Sequence, residues 1–366
     1  MSVSPQTTPS NQRSFRRKLR GLVINGAILV ITLSICLILL ELAVRWFLPG
    51  FDPKRQIPFR KTANGGALGL PSQTVRQRTP KGDYDLPITF NADGFRDSRD
   101  FRQSRPEDWY VLGDSFSFGW GVTEDQRFSN VLDRYFQSNG MPVRVFNIAI
   151  PENILGYQRI LAYAENLGAN ARHLVVGICM ENDLRDYTDG RSAADGYLER
   201  GPRKELVRAW FKDHSALYIA TSFVLQSSSW SRRLFQKVGI SRDVQGLSGK
   251  NEWNPKVLQS SRDEVLKLVS GRNAVILIIP ARRLWHGDNM ETEKRVHDTF
   301  IGLLREAGLR VVDMRPVFEQ TADPLAHYFK TDPHWNAQGH AVAGGELFKA
   351  LATSANTKQE NSLAAP

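Results

Sequence analysis

Five short, mainly apolar runs separated by helical patterns restrict this chain to a parallel sheet covered on both faces. The runs are Trp109–Leu112, 143–150, His173–Cys179, 274–280 and 309–314. Helical patterns occupy 129–138, 157–167, Pro255–Val269 and 291–307, and a last one, 337–351, closes the series. Parallel neighbours need a crossover connection, usually a helix, so this order predicts a three-layer α/β/α sandwich around a mainly parallel five-stranded sheet, over residues 106–351. One connection does not fit. Residues 184–254 are too long for a plain crossover and hold an apolar helical stretch, 206–225, between a polar loop and a Ser/Arg-rich segment. The stretch reads as a lid, a membrane-facing element or a partner surface.

Residues 21–40 carry no charge, and Asn25 is their only strongly polar side chain. As a helix they are about 30 Å long, the thickness of a bilayer's hydrocarbon core. Glu41 and Arg45 at i,i+4, with Trp46, suit an interfacial end, and Pro49-Gly50 stops the helix. The run is longer than the apolar region of a signal peptide, and no Ala-x-Ala cleavage site precedes Glu41. Residues 21–48 are therefore expected to be an uncleaved transmembrane anchor. Of the net charge of +10, Arg13, Arg16, Arg17, Lys18 and Arg20 supply half within the first twenty residues. The positive-inside rule keeps that tail, 1–20, in the cytoplasm and puts the remainder outside an inner membrane, in a periplasmic or extracellular position. The other positive charges form no Lys/Arg-rich block, so nucleic acid is not an expected partner.

Cys36 lies in the apolar run and Cys179 in a strand, so no disulfide is expected, and no Cys/His spacing suits zinc. No metal or cofactor is implied. Residues 49–105, polar and rich in Arg, Pro and Gly, read as a stalk and lead-in with a turn at 91–94. Residues 352–366 read as a disordered tail.

In an open parallel sheet, ligands bind beyond the carboxyl ends of the strands. Gly113-Asp114-Ser115 follows the first strand, Asn147 stands near the end of the second, Glu181-Asn182-Asp183 follows the third, and Asp332-Pro333-His334 follows the fifth. A serine hydroxyl needs a base to become a nucleophile near neutral pH. His334 supplies one, and Asp332, two residues earlier, can orient the imidazole. Plainer readings exist for each part. Gly-Asp-Ser can simply make a turn, and Asn182-Asp183 can cap a helix. Trp120 and Trp335 are candidates either for stacking on sugar rings or for packing, and His340 reads as structural. The Gly-x-Ser-x-Ser context lacks the second glycine of the nucleophile elbow, which argues against an α/β-hydrolase.

Over about residues 90–350 the chain resembles the SGNH, or GDSL-like, hydrolases in their membrane-anchored bacterial form. The resemblance rests on Asn91-Ala-Asp-Gly94-Phe-Arg96-Asp97, Gly113-Asp-Ser-Phe-Ser-Phe-Gly-Trp-Gly-Val122, Asn182-Asp183 and Asp332-Pro-His-Trp-Asn-Ala-Gln-Gly-His340. It implies a flavodoxin-like strand order, Ser115 as nucleophile, His334 as base and Asp332 as orienter. The implied oxyanion donors are the N–H of Ser115, the amide of Asn182 and the backbone of Glu152. Two departures stand out. Thr331 occupies the acid's place in the family's Asp-x-x-His, although Asp-x-His is similar to polysaccharide O-acetyltransferase-like members. Glu152 stands where the family has a glycine, and the nearest glycine is Gly156. The resemblance implies an esterase removing acyl, chiefly acetyl, groups from envelope glycans or small esters. O-acetyl transfer to a polysaccharide alongside a multi-pass acyltransferase, and a non-catalytic envelope assembly role, are the other two functions compatible with these residues.

Overall fold

The computed structural model describes residues 9–53, 57, 59–62, 66–79, 82–184, 210–211, 214–227, 253–287 and 289–363. They divide into two units, Met1–Lys54 with Val207–Arg232, and Arg55–Leu206 with Arg233–Pro366.

The first unit is built on the helix Pro9–Phe47. Its stretch Arg20–Phe47 is long and apolar enough to cross a membrane, and almost all of it is exposed. Within the 184–254 insertion the apolar stretch forms the helix Ala216–Ser227. The flanking polar loop and Ser/Arg-rich segment lie outside the described residues.

The second unit opens with two antiparallel pairs, β1 (Phe59–Lys61) with β2 (Ala67–Gly69), and β3 (Thr74–Arg78) with β4 (Asp85–Thr89). These strands occupy the segment read from sequence as stalk and lead-in. Alternation places Leu86 and Ile88 of β4 in the core and leaves the residues between them exposed. Leu68, Phe90 and Phe95 join the same core. The expected turn forms where Asn91 Oδ1 accepts the N–H groups of Asp93 and Phe95.

The main sheet contains β5 (Trp109–Leu112), β6 (Val145–Asn147), β7 (His173–Cys179), β8 (Asn273–Ile279) and β9 (Arg310–Asp313), all parallel, in the order β6-β5-β7-β8-β9. This is the predicted α/β sandwich with a flavodoxin-like order. Side chains alternate between its two faces as the pleat requires. Tyr110, Leu112, Leu174, Val176, Ile178, Ile276 and Ile278 enter one core, beneath helices Ile154–Asn166, Pro255–Val269 and Met290–Glu306. Trp109, Val111, Val175, Val275, Leu277 and Ile279 enter the other, with Phe128–Ser138, Met314–Phe318 and the last helix. Full burial of such a side chain contributes roughly 1.5–3 kcal/mol.

The last helix runs Ala337–Leu363, beyond the expected end at 351 and into the stretch read as a tail. Ala352, Ala355, Lys358, Gln359 and Glu360 favour helix, and no proline intervenes before Pro366. His340 on this helix is fully buried, with Nδ1 accepting the N–H of Phe128 at 3.3 Å. Burial, reinforced by the charges of Arg96 and Arg127, pushes its pKa down to about 3. The unfolded chain therefore takes up this proton first, and stability is lost as pH falls from about 6.5 towards 3. Between pH 7 and 4.5 the loss amounts to about 3 kcal/mol. His340→Gln is expected to show a correspondingly smaller fall in stability over that interval, read by chemical denaturation in detergent. An equal fall in both proteins contradicts the assignment.

Candidate active site

β5 and β7 are adjacent, and their connections leave toward opposite edges of the sheet, so the crevice between their carboxyl ends is the switch point where α/β sheets bind ligands. Ser115 follows β5 and Asn182 follows β7.

The turn that presents Ser115 is tightly built. Gly113 has φ 154°, and a Cβ there would lie 2.2 Å from Ser117 Oγ and 2.9 Å from the Gly177 carbonyl oxygen, so no side chain fits. Asp114 caps the short helix Ser115–Phe118 by accepting the Phe116 N–H at 3.0 Å. Burial pushes the Asp114 carboxyl up to about 6. Gly119 ends the helix in the left-handed region. As the first helical residue, Ser115 has an N–H with no protein acceptor among the described residues.

His334 Nε2 lies 2.7 Å from Ser115 Oγ, and its Nδ1 lies 2.6 Å from Asp332 Oδ1. The backbone N–H of His334 donates to the same Oδ1 at 3.0 Å, while the Tyr84 hydroxyl donates to Oδ2 at 2.9 Å. Burial alone would raise the Asp332 pKa. The hydrogen bonds and charge of His334, with the Tyr84 bond, outweigh it and hold the carboxyl below its usual range. The loop is pinned twice more. Arg282 donates to the Asp332 carbonyl at 3.1 Å, and Asp83 accepts both the N–H and the hydroxyl of Thr331. The imidazole is buried, tilted against Phe116 with ring centroids 4.8 Å apart and stacked on Trp120 at 5.7 Å. Hydroxyl, imidazole and carboxylate in this order let Nε2 take the hydroxyl proton while Asp332 stabilises the resulting imidazolium.

Asn182 is half-buried, and its side-chain amide has no protein partner among the described residues. Its neighbour Asp183 serves the turn instead, accepting the Cys179 N–H and the Tyr157 hydroxyl, both at 2.8 Å. Asn147 is likewise structural. Its amide donates to the Ser117 carbonyl at 2.9 Å and to Ser129 Oγ at 3.0 Å.

Glu152 is buried, and its Oε1 accepts the N–H of Ala67 in β2 at 3.0 Å. The carboxylate lies over Gly156, where a Cβ would come within 2.4 Å of Oε2. The glycine nearest to Glu152 thus makes room for its side chain. Trp335 has no exposed surface and packs against Phe116, Phe318 and His340, so packing, not sugar stacking, is its role. Trp120 keeps some exposed surface beside the imidazole.

Sequence reasoning missed Tyr84 altogether, and it quoted Arg96 without a role. The buried Arg96 guanidinium donates to the carbonyls of Phe118, Gly119 and Val122, holding the chain that follows Ser115. Arg96→Met would leave those acceptors unmet and is expected to destabilise the unit by about 3 kcal/mol. Chemical denaturation measures this, and a change within about 0.5 kcal/mol contradicts the bracing role.

Residues 262–364 match the family described as SGNH hydrolase-like domain, acetyltransferase AlgX, a span that includes Asp332 and His334 but not Ser115 or Asn182. No curated protein matches the chain. Similar solved structures include the lipase/acylhydrolase from Enterococcus faecalis, with 10% identity, a TM-score of 0.41, and coverage of 66% of this chain and 94% of that one. The psychrotrophic esterase EstA from Pseudoalteromonas sp. has 12% identity, a TM-score of 0.35 and coverage of 68% and 99%. A member of the lipolytic protein G-D-S-L family from Veillonella parvula has 13% identity, a TM-score of 0.35 and coverage of 66% and 96%. Residue roles do not transfer at such values. The family match over residues 262–364 bears out the likeness to SGNH, or GDSL-like, hydrolases that the motifs carry.

Proposed function

We propose that this chain is a serine esterase of SGNH type that removes acyl groups, chiefly acetyl, from envelope glycans, and that residues 21–48 anchor it in the inner membrane with its site outside the cytoplasm. The observation that carries the reading is the unbroken line Ser115 Oγ, His334 Nε2, His334 Nδ1, Asp332 Oδ1, with contacts of 2.7 and 2.6 Å. Ser115 Oγ attacks the ester carbonyl as His334 takes its proton. The tetrahedral oxyanion is met by the Ser115 N–H, the Asn182 amide and the backbone N–H of Glu152, each donor being worth roughly 3–4 kcal/mol. Collapse expels the alcohol, which takes the proton back from His334. Water, deprotonated by His334, then attacks the acyl-enzyme and releases the acid.

A second reading, O-acetyl transfer, is favoured by the match of residues 262–364 to an acetyltransferase domain. It needs only a sugar hydroxyl in place of water at the last step, with a multi-pass acyltransferase as the supplier of acyl groups. The detergent-solubilised chain is expected to cleave 4-nitrophenyl acetate. Ser115→Ala should lower that rate at least about 1,000-fold, and a variant retaining a tenth of the rate overturns the nucleophile. Mass spectrometry of an added glycan acceptor separates transfer from hydrolysis.

Tyr84→Phe removes a donor from the partly buried Asp332 carboxylate while keeping the ring. It is expected to lower kcat about tenfold, equivalent to 1.4 kcal/mol, with KM unchanged. A kcat equal to wild type contradicts the role of Tyr84.

A further inference from the structure

In the first unit, Glu41 near the end of the apolar span is the cap of the helix Ala216–Ser227. Its Oε1 accepts the Ala216 N–H at 2.9 Å and Arg45 Nε at 2.7 Å, and its Oε2 accepts Ser215 Oγ at 2.8 Å and the Leu217 N–H at 2.9 Å. Arg45 also reaches Asp52 at 3.3 Å and the His214 carbonyl at 2.6 Å. Below this network, Val44 and Phe51 pack against Ala216 and Ala220, and the rings of Phe51 and Phe223 lie 5.4 Å apart.

Apolar side chains of both helices stay exposed among the described residues. Trp46 is 82% exposed and Val224 64%, and Phe47, Leu48, Trp210, Phe211 and Leu225 are exposed as well. We propose that the helix Ala216–Ser227, with Trp210 and Phe211 ahead of it, is a second membrane contact, fastened to the anchor by Glu41 and lying in the headgroup–acyl boundary of a lipid bilayer.

Four observations favour lipid as the partner. The exposed Trp46, Phe47 and Leu48 carry the exposed apolar surface of the span on past Glu41. With Arg20 at one edge of the hydrocarbon, Glu41 stands about 31 Å along the helix, at the opposite edge. The helix Ala216–Ser227, at about 18 Å, is too short to cross and suits that boundary, where tryptophan is enriched. Finally, the polar groups answer one another. Glu41 meets the first N–H groups of the helix, Arg45 lies between two carboxylates, and the Thr221 hydroxyl bonds back to the Leu217 carbonyl at 2.7 Å. Such internal satisfaction is what a bilayer demands of backbone and charge.

The inference rests on the anchor reading, and one experiment separates the two. The full chain, with Cys36→Ser, receives a single spin label at Leu33→Cys, Val224→Cys or Glu291→Cys and is reconstituted in phosphatidylethanolamine and phosphatidylglycerol vesicles. Collision rates with oxygen and with a water-soluble nickel chelate are then compared. Labels at 33 and 224 should favour oxygen, with 224 the shallower, and the label at 291 should favour the chelate. A label at 224 that behaves like 291 while 33 stays in lipid overturns this inference alone. Labels at 33 and 224 both favouring the chelate overturn the anchor and this inference with it. Dipolar broadening between copies at 224 assigns the patch to a second copy of the chain and also overturns it.

Discussion

A carboxylate removed from water must be met by donors, and Asp332 is met by three: the N–H and Nδ1 of its own neighbour His334, and the hydroxyl of Tyr84. This requirement ties together parts of the chain that are remote in sequence. The turn between β3 and β4 supplies Tyr84 and also Asp83, which holds Thr331. The loop before the last helix supplies the acid and the imidazole, and the end of β5 supplies the hydroxyl that the imidazole faces. Without the charge on Asp332 the imidazole would lose both its orientation and the group that stabilises its protonated form.

The hydroxyl end of the same line depends on close backbone approach rather than on charge. Gly113 and Gly177 leave room for Ser117 beneath the turn, and a Cβ at either would meet its Oγ at 2.2 Å. Arg96 fixes the chain leaving the turn, and Asn147 fixes it from β6. Two donors without protein partners among the described residues, the Ser115 N–H and the Asn182 amide, stand at the ends of the two strands that flank the switch point. Rigid surroundings and uncommitted donors are what an oxyanion site requires, because donors that need not reorganise stabilise developing charge most.

The strands and helices of the main sheet were legible because each is a continuous apolar run or a clear helical period, and strand order then placed Ser115, Asn182 and Asp332/His334 on one edge. Tyr84 was not legible. It sits in the turn of a short hairpin within a polar stretch, and its partner Asp332 is 248 residues away. β4 does alternate, but over only five residues and with Pro87 among them, so its pattern did not stand out from the expected lead-in. Arg96 belonged to a recognisable motif, yet its bonds go to backbone carbonyls, which leave no trace in residue types. Glu152 looked like a misplaced charge beside the site until the fold supplied the Ala67 N–H and the space over Gly156. The sequence left Trp335 open between a sugar platform and a packing residue, and its complete burial decides for packing.

The central claim is that Ser115 is a hydroxyl activated by His334, and covalent trapping tests it most directly. The detergent-solubilised chain is treated with a serine-directed fluorophosphonate, and the adduct is located by peptide mass spectrometry. The account predicts one adduct, on Ser115, lost in Ser115→Ala and strongly slowed in His334→Ala. A folded wild-type chain that takes no label, or a Ser115 adduct that forms equally fast in His334→Ala, would contradict it.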